Sequence, residues 1–99
     1  MFQIRYAEGV ADELQAIRAY DRRIILDRID EQLKHEPTTE TRMKKIIVGL
    51  NPPWQHIEPI WQLRVGEFRV FYDVDDEQQL VNVRAIRHKP PHTATEDLL

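Results

Sequence analysis

The 99-residue chain contains no cysteine, which excludes disulfide bonds, thiolate zinc sites and cysteine nucleophiles. It has only three glycines and is 41% hydrophobic, so we expect an ordinary folded globule and not a disordered or low-complexity chain. No stretch approaches the run of about 18 apolar residues that a membrane span requires, and no basic segment followed by an apolar run marks an export signal. These absences predict one domain over residues 1–99, acting in the cytoplasm.

The charge of the chain is low overall but unevenly distributed. A net charge of −3 and a pI near 5.8 argue against non-specific coating of nucleic acid, because phosphate binding draws on a basic surface. Two stretches, residues 41–55 and 84–95, nevertheless contain bases and no acid. Their basic residues are Arg42, Lys44, Lys45, Arg84, Arg87 and Lys89. If the fold brings these stretches together, a basic face forms on an acidic protein.

The first third of the chain predicts a strand followed by two antiparallel helices. Residues 2–6 alternate apolar and polar side chains, as a short strand does. Beyond them the apolar positions recur at helical spacing, and Asp21 is suited to cap a second helix that Pro37 must end. An Asp30–Lys34 pair is expected on its wet face. The two apolar stripes contain Val10, Leu14, Ile17, Ile25 or Leu26, Ile29 and Leu33.

The second half predicts a three-stranded antiparallel meander. The strands IWQLRV, FRVFYDV and LVNVRAIRH are separated by a Gly66-Glu67 turn and an acidic turn, whereas the interior of residues 38–53 matches no single pattern. The predicted class is therefore α+β, with the N-terminal strand and the meander completing one twisted sheet. We expect a core of Leu14, Ile17, Ile25, Ile29, Leu33, Trp61, Leu63, Val70, Tyr72 and Val83. The other sheet face should present Gln62, Arg64, Arg69, Phe71 and Arg84.

The order β-α-α-β-β-β, with RVGEFRVFYDVD and then VRAIRHK, resembles the RelE/ParE superfamily of toxins from type II toxin–antitoxin systems. The resemblance covers nearly the whole chain, and its most specific part is the glycine hairpin followed by the strand at residues 68–72. It implies a ribosome-dependent mRNA endonuclease of the RelE type, with a cognate antitoxin as partner in a hetero-oligomer. The alternatives are a non-catalytic DNA gyrase inhibitor of the ParE type and a non-toxic partner-binding domain of the same fold.

The resemblance also implies candidate site residues. Arg69 and Arg87 match arginines that stabilise the phosphate in RelE-type enzymes, and a guanidinium can hold two phosphate oxygens at once. Cleavage through a ribose 2′-hydroxyl also needs an acid, for which His88 and His92 are the candidates. RNA-binding side chains are expected at Arg64, Lys44, Lys45, Lys89 and Gln62. We expect no cofactor and no metal, since the prolines between the two histidines prevent a helix that would join them as ligands.

Several of these residues have a simpler interpretation. Arg69 can pair across the sheet with Glu67 or Asp73, and the lysines at 44 and 45 can form a solvated face or meet an antitoxin. Trp54 either packs locally or faces a partner. The lysine pair of RelE-type enzymes corresponds to about Ile60 and Gln62, and residues 92–95 replace their C-terminal tyrosine. These departures favour the gyrase alternative.

Overall fold

A five-stranded sheet forms one layer of the protein, and two helices cover one of its faces. The computed structural model describes residues 1–99. In chain order the elements are β1 (Gln3–Tyr6), α1 (Val10–Gln15), α2 (Ala19–Leu33), β2 (Lys44–Ile47), β3 (Ile60–Val65), β4 (Phe68–Asp75), β5 (Leu80–His88) and a final 3-10 turn (Thr95–Leu98). The strands lie in the order β1-β5-β4-β3-β2, with β1 parallel to β5 and every other pair antiparallel. None of the helices has the length and apolar character needed to cross a membrane.

The predicted α+β class and the meander are confirmed, and the sheet gains one strand. Strand β2 pairs antiparallel with β3, so that Ile46 lies opposite Trp61. Its four residues, KKII, are too few to show a period, which is why this stretch matched no pattern. The Gly66-Glu67 turn joins β3 to β4 as predicted, with Gly66 at a φ of 58° that a residue without Cβ adopts readily.

The helix boundaries differ from the expected ones. Helix α1 ends at Gln15, so Ile17 lies in the connection between the helices. Helix α2 begins at Ala19 with Arg18 at its N-cap position, and the prediction that Asp21 caps it is wrong. Asp21 instead lies in the first helical turn, where a carboxylate interacts favourably with the helix dipole, and it accepts a hydrogen bond from Arg18 Nε at 2.8 Å.

The main core lies between the helices and the sheet. Seven of the predicted core residues on α2 and the meander are fully or almost fully buried there, and Trp61 joins them at 3% exposure. Leu14 and Ile17 are only partly buried at its margin. The Tyr72 hydroxyl donates to the carbonyl of Pro37 at 2.6 Å, which holds the chain after α2 against the sheet. Burial raises the pKa of Tyr72.

A smaller apolar cluster lies on the opposite face of the sheet. Phe71, Ala85 and Leu98 form it, and Trp54 packs on Phe71 with ring centroids 5.6 Å apart. The long β2–β3 connection and the C-terminal turn therefore cover part of this second face. Trp54 thus packs locally, one of the two alternatives expected for it.

A buried polar network secures the β2–β3 connection. Asp73 is fully buried and accepts hydrogen bonds from Arg84 Nε at 2.8 Å, from Asn82 Nδ2 at 3.0 Å and from the Ile57 backbone N–H at 3.0 Å. Four donor contacts in all satisfy this carboxylate, because Arg84 Nη2 adds one at 3.2 Å. Arg84 therefore lies on the second face as expected, and it is held there by Asp73.

Candidate functional site

A cleft of about 330 Å³ opens on the second face, between β2, the β3–β4 hairpin and the C-terminal tail. Its lining contains five basic residues and no acid, and we call it the basic cleft. The lining residues are Arg42, Met43, Lys45, Gln62, Arg64, Arg69, Lys89, Ala94 and Thr95. Such a concentration of positive charge in a concave surface attracts an anion and favours phosphate groups.

The antiparallel register explains why these side chains converge. Lys45 lies opposite Gln62 on the neighbouring strand, and Arg64 lies opposite Arg69. Paired residues of antiparallel strands share a face, so all four point toward the same side of the sheet. The backbone N–H of Lys89 donates to the Glu67 carbonyl at 2.6 Å, which holds the end of β5 beside the hairpin. Residues from four separate chain segments thus meet in one cleft.

Arg69 carries a positive charge that no carboxylate balances. Only 9% of the residue is exposed, and its Nη1 donates to the carbonyls of Gly66 and Phe68 at 2.9 Å each. Burial and the nearby guanidinium of Arg64 lower the pKa of Arg69. The alternative in which Arg69 pairs with Glu67 or Asp73 is wrong, since Asp73 binds Arg84 and Glu67 approaches His88. An anion in the basic cleft would relieve the repulsion between these two arginines.

Gln62 is the one buried neutral polar residue of the basic cleft. It is 4% exposed, and its Oε1 is buried without a hydrogen-bond partner. Arginine and lysine side chains only donate hydrogen bonds, so Gln62 and Thr95 supply the only side-chain oxygen acceptors in the lining. A buried acceptor left unpaired costs about 1–3 kcal/mol.

Arg87 does not line the basic cleft, although its backbone lies opposite Arg69 in the sheet. Its side chain pairs with Glu13 of α1 and donates from Nε to the Leu98 carbonyl at 3.0 Å. Its guanidinium also stands 5.4 Å from the centre of the Trp54 ring, a cation–π distance. In this arrangement Arg87 joins α1, the C-terminal turn and the β2–β3 connection. The contacts of Arg87 therefore do not support its predicted phosphate role.

Neither candidate histidine lies in the basic cleft. His88 pairs in the sheet with Phe68, its ring 5.2 Å from the phenyl ring, and its Nε2 is 3.7 Å from Glu67 Oε2. His92 is exposed in the tail with a φ of 67°. The geometry thus gives no support to either as the acid of a reaction centred on Arg69. No group of three or more potential metal-ligating side chains is present.

The two adjacent lysines of β2 point to opposite faces. Lys44 is 3% exposed, and its Nζ donates to the Gln32 carbonyl at 3.2 Å and the Glu36 carbonyl at 2.7 Å, where α2 ends. Burial lowers the pKa of Lys44, with Glu36 opposing that effect. The predicted RNA-binding role of Lys44 is therefore replaced by a structural one, while the exposed Lys45 lines the basic cleft.

Of the nine predicted site residues, the basic cleft unites Lys45, Gln62, Arg64, Arg69 and Lys89. It adds Arg42 and Thr95, which were not assigned as site residues. The signal for Arg42 was its place in the acid-free stretch at 41–55. Nothing in the sequence distinguished Thr95.

Residues 4–89 match the family described as ParE toxin of type II toxin-antitoxin system, parDE. No curated protein matches the chain. Among solved structures, a chain of the archaeal RelE-RelB complex from Pyrococcus horikoshii OT3 is similar, with a TM-score of 0.70 and 20% identity over 94% of this chain and 98% of that one.

Two further solved structures show the same arrangement of elements. The RelBE2 toxin-antitoxin complex from Mycobacterium tuberculosis contains a chain with a TM-score of 0.67 and 19% identity, covering 89% of this chain and 98% of that chain. The isolated E. coli RelE toxin has a TM-score of 0.68 and 14% identity, with 91% and 86% covered. At such identities the likeness establishes a common fold.

Proposed function

The chain belongs to the ParE toxin family of type II toxin-antitoxin systems, and on this premise we propose that it is a toxin directed at RNA. In this proposal the protein is an mRNA endonuclease of the RelE type, acting on translated mRNA in the cytoplasm and arresting growth. A cognate antitoxin silences it in a toxin–antitoxin complex, the kind of assembly named for several of the solved structures that share its fold.

The observation that carries the proposal is the basic cleft itself. Five cations face one concavity with no carboxylate among them, on a protein whose net charge is −3. A duplex-coating protein spreads its basic side chains over a wide surface, whereas a cleft of about 330 Å³ suits a short single-stranded segment. A phosphodiester is the anion best matched to several converging guanidinium and ammonium groups.

Each cation has a role in the proposed reaction. Attack of a ribose 2′-hydroxyl on the adjacent phosphorus forms a 2′,3′-cyclic phosphate and breaks the bond to the 5′-oxygen, which leaves with a proton. Negative charge builds on the phosphate oxygens during this step, and Arg69 with Arg64 would stabilise it. Arg42, Lys45 and Lys89 would hold the flanking phosphates. Lys45 and Lys89 also belong to a residue type that can transfer protons in catalysis.

A second function, inhibition of DNA gyrase without catalysis, is favoured by two observations. The matching family is that of ParE toxins, and both histidines lie outside the basic cleft. An inhibitor needs a complementary surface and no acid–base pair. A partner-binding domain without toxicity needs even less.

Expression of the chain without its antitoxin separates these functions. We expect growth arrest with mRNA cleaved inside translated codons, mapped by primer extension. Arg64→Ala should relieve the arrest, and because Arg64 is exposed the variant should stay folded. Arg23→Ala, which removes an exposed arginine of α2 far along the chain from the cleft residues, serves as the matched control and should remain toxic.

The contrary outcomes are distinct. If mRNA stays intact and the chain inhibits DNA supercoiling by purified gyrase, the protein is a gyrase inhibitor and not a nuclease. A folded chain that causes no arrest would leave only the partner-binding domain. Arg69→Ala is a useful second variant, with circular dichroism to verify that the hairpin contacts of Arg69 are not needed for folding.

A further inference from the structure

Gln62 occupies a distinctive position in the basic cleft. It lies in the middle of β3, between Lys45 on β2 and Phe71 on β4 in the sheet register. The residue is 4% exposed, yet its side chain reaches the cleft lining, and Oε1 has no donor within hydrogen-bond distance. Buried polar atoms are almost always paired, so an orphan at a ligand-sized cleft points to a missing donor.

The cations of the cleft cannot supply that donor in the arrangement observed. They are suited to phosphate oxygens, which only accept hydrogen bonds, so a bare phosphate would leave Gln62 Oε1 unpaired. The matching ligand carries a hydrogen-bond donor close to its phosphate. The terminal torsion of a glutamine is soft, so a small rotation can bring the amide oxygen toward such a ligand without moving the backbone.

RNA offers one donor of this kind at every linkage. The ribose 2′-hydroxyl stands beside each phosphodiester of RNA and is absent from DNA, whereas donors on the bases vary with sequence. We propose that Gln62 accepts a hydrogen bond from a ribose 2′-hydroxyl and thereby makes the basic cleft select RNA over DNA. The inference rests on the proposed function, since it assumes that the cleft binds a nucleic-acid backbone. A hydroxyl has a single proton and a neutral amide cannot remove it, so the hydroxyl that Gln62 binds is that of a nucleotide beside the cleaved linkage and not the attacking one.

The test compares short single strands of one sequence that differ only at the sugar. Fluorescence anisotropy would measure the affinity of the purified chain for RNA, DNA and 2′-fluoro RNA. The 2′-fluoro strand keeps a ribose-like sugar shape without the donor. We expect RNA to bind about tenfold more tightly than either of the others, because each of them leaves the buried acceptor unpaired.

Two variants separate selectivity from charge. Gln62→Met keeps the length of the side chain and removes the amide, so the RNA-to-DNA affinity ratio should fall to near one while DNA affinity stays the same. Arg64→Gln should weaken RNA and DNA alike and keep the ratio, because Arg64 is expected to contact only phosphate.

Each outcome counts for or against the inference. Equal affinity of the unaltered chain for RNA and 2′-fluoro RNA, with both weakened by Arg64→Gln, would overturn the role of Gln62 and leave the basic cleft as a phosphate site. If Arg64→Gln changes the affinity for neither RNA nor DNA, the proposed function is wrong and the inference fails with it. The comparison of strands uses the unaltered chain, so it decides the question even if Gln62→Met folds poorly.

Discussion

The adjacent lysines of β2 allow a direct test of how the fold divides structural from functional charge. Lys44 points to the helices and donates to two carbonyls at the end of α2, while Lys45 points into the basic cleft. Hydrogen bonds from a charged group are worth about 1.5–3 kcal/mol each, and the desolvation that lowers the pKa of Lys44 offsets part of that gain. We therefore expect Lys44→Ala to reduce the free energy of unfolding by about 2–3 kcal/mol.

Lys45→Ala is the matched control, one residue along the same strand. Exposed substitutions usually change stability by no more than about 0.5 kcal/mol, so this variant should unfold almost as the parent does while losing affinity for an RNA strand. Urea unfolding followed by circular dichroism measures the first effect, and anisotropy at low salt measures the second. The assignment of faces would be refuted if Lys44→Ala left stability unchanged, or if it weakened RNA binding more than Lys45→Ala did.

Three other predictions follow from the core and the charge. Ile29→Ala should cost about 2–5 kcal/mol of unfolding free energy, since Ile29 is fully buried, and a loss below about 0.5 kcal/mol would contradict that packing. Because burial raises the pKa of Tyr72, the unfolded chain releases this proton first, so stability should fall as pH rises above about 10, and Tyr72→Phe should lessen the fall. Affinity for the cognate antitoxin should drop less than about a hundredfold between about 50 and 500 mM salt in calorimetry, because a net charge of −3 gives no global attraction to an acidic partner, and a steeper drop would show that charge holds the pair.

The sequence predicted the elements whose signals are local. The alternation along β3 and β4 placed Leu63 and Val70 in the core and Arg64 and Arg69 on the opposite face, because a strand of six or eight residues shows its period clearly. Strand β2 has only four residues and no clean alternation, so its pairing with β3 decides its structure. Once that strand is known, the period of two requires Lys44 and Lys45 to diverge.

Contacts between distant residues account for what the sequence could not predict. Arg87 is turned from the basic cleft by Glu13, 74 positions earlier in the chain, and by the Leu98 carbonyl. A register shift between Phe71 and Tyr72 also interrupts the pairing of β4 with β5, so Val83 and Ile86 both face the helices while Ala85 faces the other side. The sequence of β5 alone contains no pattern from which this register shift could be predicted.

The distribution of charge leads to a last prediction, about how strongly salt weakens the binding of a single strand. Five of the 14 bases line the basic cleft, and all 17 acids lie elsewhere, so a polyanion is attracted at the cleft and repelled along the rest of the surface. For single strands the logarithm of affinity falls with the logarithm of salt by about 0.7 per phosphate neutralised, which limits the slope to about −3.5 if only the cleft contributes. Anisotropy titrations over a series of salt concentrations should show that limit, and Lys45→Ala should flatten the slope by about 0.7. A slope well beyond −3.5 in this salt series, unchanged by Lys45→Ala, would mean that bases outside the cleft hold the strand, and the assignment of the cleft as the nucleic-acid site would be wrong.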